Sequence, residues 1–275
     1  MDFKQKLDAA VTKNDSLLCV GLDPDMSKLP SGLKDIESAY FIFNRAIVDA
    51  THDLVCAYKP NTAFYEARGA AGIEELKLTC DYVSQNYPEI PIILDFKRGD
   101  IGNTNTFYTE FAFDYLGVDA VTVHPWSGRE GMQSFLDRKD KGIIVWCKGS
   151  NEGSAEFQDL AVNGRKLYLQ VAENVAQNWN ENDNCLLVVG ATYPEELSEV
   201  RELVGDEMVL LVPGIGAQGG DVKASVEAGI NADGRGIIIS TSRAVLYNVD
   251  SEDYAEVARA KAIEARDQIN QYRSK

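Results

Sequence analysis

Cysteine and histidine are scarce in this 275-residue chain, which holds five of the first and two of the second. The cysteines (Cys19, Cys56, Cys80, Cys147 and Cys185) are odd in number, widely spaced and free of any C-x-x-C pair. That argues against a disulfide framework and against a zinc site. Four of them fall in or beside apolar runs, where buried free thiols are common. Basic side chains are also short: 27 Lys and Arg face 43 Asp and Glu, a formal net charge of -16 with a pI of about 4.6. General nucleic-acid or anionic-membrane binding wants basic patches, so neither is expected as a partner. An anionic substrate would need a locally basic pocket working against the global field. No apolar stretch approaches the roughly 20 residues of a membrane span. Residues Met1 to Lys6 lead into no apolar signal core, so a cytoplasmic protein is expected. No linker, low-complexity tract or break in composition is visible, and residues 1–275 read as one domain.

What is present is a rhythm. Eight short apolar runs recur, at Ser16–Leu22, Val55–Lys59, Pro91–Asp95, Ala120–His124, Gly142–Cys147, Cys185–Gly190, Met208–Pro213 and Gly236–Ser240. Amphipathic helical patterns lie between them, at Ala39–Asp53, Gly72–Asn86, Gln158–Asn178, Pro194–Val204 and Asp221–Ala228, with Glu252–Tyr272 as a terminal helix. Strand alternating with helix implies parallel strands and right-handed crossovers. An open doubly wound sheet usually has about five or six strands. The larger count predicts a closed (β/α)8 TIM barrel, an α/β fold. The long gap over 149–184 is expected to hold an extra loop near the active face.

Such barrels carry their chemistry at the C-terminal ends of the strands. Those ends present Asp23, Lys59, Asp95 with Lys97, His124, Ser150, Thr192, Pro213 onward, and Ser242 with Arg243. Leu94-Asp95-Phe96-Lys97-Arg98-Gly99-Asp100-Ile101 is the most specific stretch. Side chains two apart on a strand share a face, so Asp95 and Lys97 should point together, with Asp100 past the turn at Gly99. An ammonium among carboxylates keeps its proton, fitting Lys97 as an acid or as a fixed cation facing developing negative charge. Pro213-Gly214-Ile215-Gly216-Ala217-Gln218-Gly219-Gly220-Asp221 has the glycines that let backbone N–H groups approach an anion. Ser240-Thr241-Ser242-Arg243 opens a helix with an arginine beside it. Together these two loops suggest a phosphorylated small-molecule substrate.

These residues resemble the orotidine 5′-phosphate decarboxylase family, in its longer bacterial branch. The resemblance runs through Leu22-Asp23-Pro24-Asp25, Tyr58-Lys59-Pro60-Asn61, the D-x-K-x-x-D-I-x-x-T string from Asp95 to Thr104, Lys148-Gly149-Ser150-Asn151, the Pro213–Asp221 loop and Ser242-Arg243. It implies conversion of orotidine 5′-monophosphate (OMP) to uridine 5′-monophosphate (UMP), a step of de novo pyrimidine synthesis, with no cofactor and no metal. Lys59, Asp95, Lys97 and Asp100 would form a network of alternating charge. Lys97 would protonate the C6 carbanion, and Asp95 would orient it beside the substrate carboxylate. Asp100 and Thr104 would come from the partner of a homodimer. Asp23 and Lys59 would hold ribose hydroxyls, Ser150 the pyrimidine edge, and Gln218 and Arg243 the phosphate. Ile101, Pro213, Gly219 and Ser242 would complete the substrate contacts. One departure is visible: Asn151-Glu152-Gly153 stands where this branch often has Asn-Pro-Gly, and a changed loop conformation is expected.

The nearest rival is a magnesium-dependent sugar-phosphate decarboxylase or hexulose phosphate synthase of the same superfamily. Those resemble a pattern with an acidic metal ligand on strand two, where this chain has Lys59. A Schiff-base aldolase needs a lysine of depressed pKa, the opposite of what flanking carboxylates do. A silent ligand-binding barrel would be supported by a neutral residue in place of Lys97. His124 reads as a packed or hydrogen-bonded structural residue, and Trp126, Trp146 and Trp179 as packing residues.

Overall fold

The computed structural model describes residues 1–215, 220–247 and 253–273. Eight parallel strands among them form one sheet: β1 (Leu18–Gly21), β2 (Ala57–Lys59), β3 (Ile93–Arg98), β4 (Ala120–Val123), β5 (Gly142–Lys148), β6 (Cys185–Val189), β7 (Leu210–Pro213) and β8 (Ile237–Thr241). All eight expected runs are strands, and their order around the sheet is β2-β1-β8-β7-β6-β5-β4-β3. The two end strands meet through isolated parallel bridges, Tyr58 with Ile92 and Asn61 with Asp95, which close the barrel. Strands buried on both faces need continuous apolar sequence; β1, β4, β6 and β8 are buried along their whole length.

Helices cover the strands: α1 (Phe3–Asn14), α2 (Ala39–Thr51), α3 (Gly69–Asn86), α4 (Gly102–Thr109), α5 (Leu167–Asn174), α6 (Pro194–Val204), α7 (Val222–Gly229) and α8 (Tyr254–Gln271). Helix α1 has no counterpart in the periodicity reading. A capping box starts it, with Asp2 accepting from Gln5 N and Gln5 from Asp2 N. Its Phe3 packs on Gly142 at the start of β5, and Lys6 pairs with Asp119 just before β4. Helix α1 therefore seals the end of the barrel opposite the strand C-termini. Helix α4 was equally hidden, because Gly-Asn-Thr-Asn-Thr is poor helix-forming sequence.

The helix expected from Gln158 begins only at Leu167. A two-residue hairpin intervenes, Ala161–Val162 pairing with Arg165–Lys166, its turn made by Asn163 and Gly164, both at positive φ. Asn-Gly is the strongest short hairpin signal, and here it overrides the helical pattern. Helix α7 starts one residue after Asp221, which caps it by accepting from Ala224 N. Residue 252, expected at the head of the last helix, lies outside the described residues. No helix among the described residues is long and apolar enough to cross a membrane.

Candidate active site

The C-terminal ends of β1, β2, β3, β5, β7 and β8 open onto one cleft of about 460 Å³. Asp95 is its centre. The residue is 8% exposed and its carboxylate takes four hydrogen bonds. Lys59 Nζ and Asn61 Nδ2 donate to Oδ2 at 3.0 and 3.2 Å. Lys97 Nζ and Thr122 Oγ1 donate to Oδ1 at 2.5 and 2.8 Å. Burial pushes the Asp95 carboxyl up, but the Lys59 and Lys97 charges outweigh it and hold it well below the usual carboxylate range. Burial likewise pushes Lys59 down; the facing Asp95 and Asp23 carboxylates win, and its ammonium is held above the ordinary lysine value. Both groups are thus fixed in their charged forms.

Lys97 reaches Asp95, but not by regular alternation. Its φ is +43°, in the left-handed region, which costs a residue with a Cβ about 1–2 kcal/mol. The β3–β4 register slips between Leu94 and Arg98, so the reactive stretch is a bulge. The Lys97 ammonium also stands 5.7 Å from the Trp146 ring centroid.

At the end of β1, Asp23 accepts from Asn61 N at 3.0 Å and from the Ser242 hydroxyl. That approach needs Gly21: a Cβ there would run into Ser242 Oγ. Asn61 thereby joins both carboxylates, its N–H on Asp23 and its amide on Asp95. Ser150 lines the cleft after β5, its carbonyl accepting from Thr192 Oγ1 at 2.8 Å. Gly190 lies directly beneath it, and a Cβ at 190 would come within 2.6 Å of Ser150 Cα.

Lys28, Lys59, Lys97 and Arg243 face Asp23, Asp25 and Asp95 across the cleft. The lining is slightly cationic inside an acidic protein, the local basic pocket that an anion requires. Pro213 and Arg243 sit together at the β7–β8 side, Arg243 exposed and without a carboxylate partner among the described residues. The helix expected after β8 is a single turn, Arg243–Leu246, so it contributes little macrodipole. Gln218 and Gly219 lie outside the described residues. Among the described residues no three His, Cys, Asp or Glu side chains converge as metal ligands.

Asp100, Ile101 and Thr104 do not line this cleft. Asp100 is exposed, accepts from Ile101 N at 2.6 Å and makes no ion pair among the described residues. The second carboxylate expected at the mouth of β3 is therefore absent from the chain's own cleft. Ile101 is 68% exposed, and Phe107 on α4 is exposed as well. Trp126 departs from the packing role expected of it at 63% exposed, and Trp146 forms cleft wall; Trp179 is buried. His124 packs on Gly99, yet its buried Nδ1 has no hydrogen-bond partner among the described residues. Thr122 and Asn61 are the contributors that motif reading passed over. Thr122 is hidden in an apolar strand, and Asn61 follows Lys59-Pro60 with no signal of its own.

Residues 16–260 match the sequence pattern described as the orotidine 5′-phosphate decarboxylase / HUMPS family. A protein of Cellvibrio japonicus named orotidine 5′-phosphate decarboxylase is 52% identical over 272 residues, covering 98% of each chain. A Ralstonia pickettii protein of the same name is 50% identical over 274 residues, covering 100% of each. The solved structure of Leishmania donovani OMP decarboxylase is 39% identical, with a TM-score of 0.87 over 99% of each chain.

Proposed function

The chain belongs to the orotidine 5′-phosphate decarboxylase / HUMPS family, and from that premise we propose that it is a carboxy-lyase converting OMP to UMP without metal or cofactor. The observation that carries this reading is the buried Asp95 carboxylate with Lys59 on one oxygen and Lys97 on the other. Decarboxylation at C6 breaks the bond to CO2 and leaves its electron pair in an sp2 orbital that the ring cannot delocalise. A preorganised ammonium is the available stabiliser. Lys97 faces that carbon, donates its proton to form the C6–H bond, and regains a proton from solvent. Asp95 lies beside the departing carboxylate and keeps Lys97 oriented.

Asp23 and Lys59 hold ribose hydroxyls, and Ser150 reads the pyrimidine edge. Pro213, Gln218, Gly219, Ser242 and Arg243 take the phosphate. Binding energy gained there, away from the reacting carbon, supports closure and positioning. The exposed Asp100 and Ile101 and the half-buried Thr104 supply the cleft of a second copy, so the working unit is a homodimer. The exposed Ile101 and Phe107 side chains support a covered face at this edge. Against the magnesium-dependent reading stands Lys59, whose ammonium occupies the position beside Asp95 where a cation would otherwise bind.

The test is the ultraviolet absorbance of OMP mixed with the protein in excess EDTA. Loss of the substrate band with formation of UMP is expected. No reaction in EDTA, together with activity on a sugar phosphate once magnesium is restored, would replace this reading with its rival.

A further inference from the structure

We infer that Thr122, in the middle of β4, is a positioning residue that aims Lys97 by holding both its backbone and its carboxylate partner. The inference rests on the reading of Lys97 as proton donor. Its first support is register. Ile93 pairs with Ala120, Leu94 with Val121 and Arg98 with Val123. The segment Asp95-Phe96-Lys97 therefore stands against Thr122 alone, and the regular ladder is broken there. The Lys97 N–H instead donates to Thr122 Oγ1 at 3.1 Å.

The second support is the direction of the bonds. A backbone N–H can only donate and an ionised carboxylate can only accept. The single hydroxyl hydrogen of Thr122 is thus committed to Asp95 Oδ1, at 2.8 Å. The same Oδ1 receives Lys97 Nζ at 2.5 Å. A ring results: Lys97 N–H to Thr122, Thr122 to Asp95, Asp95 back to Lys97 Nζ. The lysine is tied at both ends through one hydroxyl.

The third support is strain. Lys97 has φ +43°, and such a backbone persists only where its surroundings over-determine it. Thr122 is 1% exposed, so bulk water cannot easily take over its bonds. Valine would fill the same space but leave the part-buried Lys97 N–H without its acceptor.

The variants that test this are Thr122→Val, which keeps the shape and removes the hydroxyl, and Thr122→Ser, which keeps the hydroxyl. With OMP as substrate, Thr122→Val is expected to lower kcat on the order of a hundredfold with KM changed less than about threefold. UMP affinity should stay near wild type, because neither Thr122 nor Lys97 is placed on the phosphate. Thr122→Ser should recover most of kcat. Unchanged kcat in Thr122→Val, or Thr122→Ser as impaired as Thr122→Val, overturns the inference. If Thr122→Val does not fold, Thr122→Ala gives the same comparison.

Crystal structures of the variants read the geometry without turnover. Lys97 should leave the left-handed region or lose Asp95 in Thr122→Val, and stay in place in Thr122→Ser. Lys97 unmoved in Thr122→Val sinks the inference on its own. Absence of decarboxylation by the wild-type protein would defeat the proposed function and leave this structural comparison standing, so the two failures are distinguishable.

Discussion

Lys148 and Asp159 form an ion pair, Nζ to Oδ1 at 2.5 Å, across the base of the loop that carries Ser150. The ammonium is 1% exposed and also lies 5.4 and 5.2 Å from the ring centroids of Tyr168 and Tyr193. One residue on, Gly149 N donates to Gln158 Oε1 at 2.8 Å. Both ends of the 149–158 segment are thereby pinned. Asp159→Asn removes the countercharge of a buried cation and should cost about 1–3 kcal/mol of stability. The double variant Lys148→Met with Asp159→Leu should recover most of that loss, since apolar groups of similar volume often replace a buried pair without penalty. Chemical denaturation of the three proteins decides it. Equal losses in the single and double variants would mean that the pair contributes packing rather than charge.

The charge states at the centre of the cleft set a pH window. Asp95 is depressed below its ordinary value of 3.8, so its contribution to stability is present above that pH and lost as pH falls through its lower folded value. Lys59 is raised above 10.5, so its contribution is present below that pH and lost as pH rises through its higher folded value. The stability difference between wild type and Asp95→Asn should therefore be flat from about pH 5 to 9 and shrink in acid. Denaturant titrations at stepped pH measure it. A difference that changes across neutrality would show that another group titrates with the pair.

The proposed reading puts chemistry on Lys97 and phosphate binding on Arg243, so the two should separate. Lys97→Ala is expected to abolish turnover while UMP still binds. Arg243→Ala should weaken UMP by roughly tenfold to a hundredfold, the worth of a charge-assisted bond of about 1.5–3 kcal/mol, and leave uridine nearly unchanged. Calorimetric titration of both ligands checks this. Equal losses for uridine and UMP would take Arg243 out of the phosphate grip.

The proposal that Asp100 completes the cleft of a second copy is tested by mixing variants. Lys97→Ala and Asp100→Ala should each be inactive alone. Randomly reassociated dimers should then regain activity in roughly a quarter of the sites, because one site of each mixed dimer has both native residues. No recovery after verified subunit exchange would place Asp100 outside the neighbouring cleft.

The barrel was legible because its strands are buried on both faces over most of their length and so leave short apolar runs. The ends of those runs gave Asp23, Lys59, Asp95, Lys97, Ser150 and Arg243, which the fold does gather in one cleft. What stayed hidden were departures from periodicity. Asp95 and Lys97 do meet, but through a bulge and a left-handed lysine rather than through strand alternation. The Asn163-Gly164 turn was written in the sequence and masked by the amphipathic pattern around it. Thr122 looked like one more β-branched strand residue, since no local signal marks which hydroxyl will face a bulge. Asp100 could be placed beyond the turn at Gly99, yet sequence spacing alone does not say that it stands outside the chain's own cleft.

The closure of the barrel has a consequence for reading any variant of its central charges. Between β2 and β3 two isolated bridges join the rim among the described residues, laced by Tyr58 N to Pro91 O at 3.0 Å and Asp95 N to Pro60 O at 2.9 Å. Lys59 and Asp95 lie on opposite sides of this seam, and their ion pair spans it. The same two side chains that polarise the cleft are also a rivet in its circumference. A substitution at either position loosens the hoop as it removes the charge, so a loss of turnover there carries a share of lost closure.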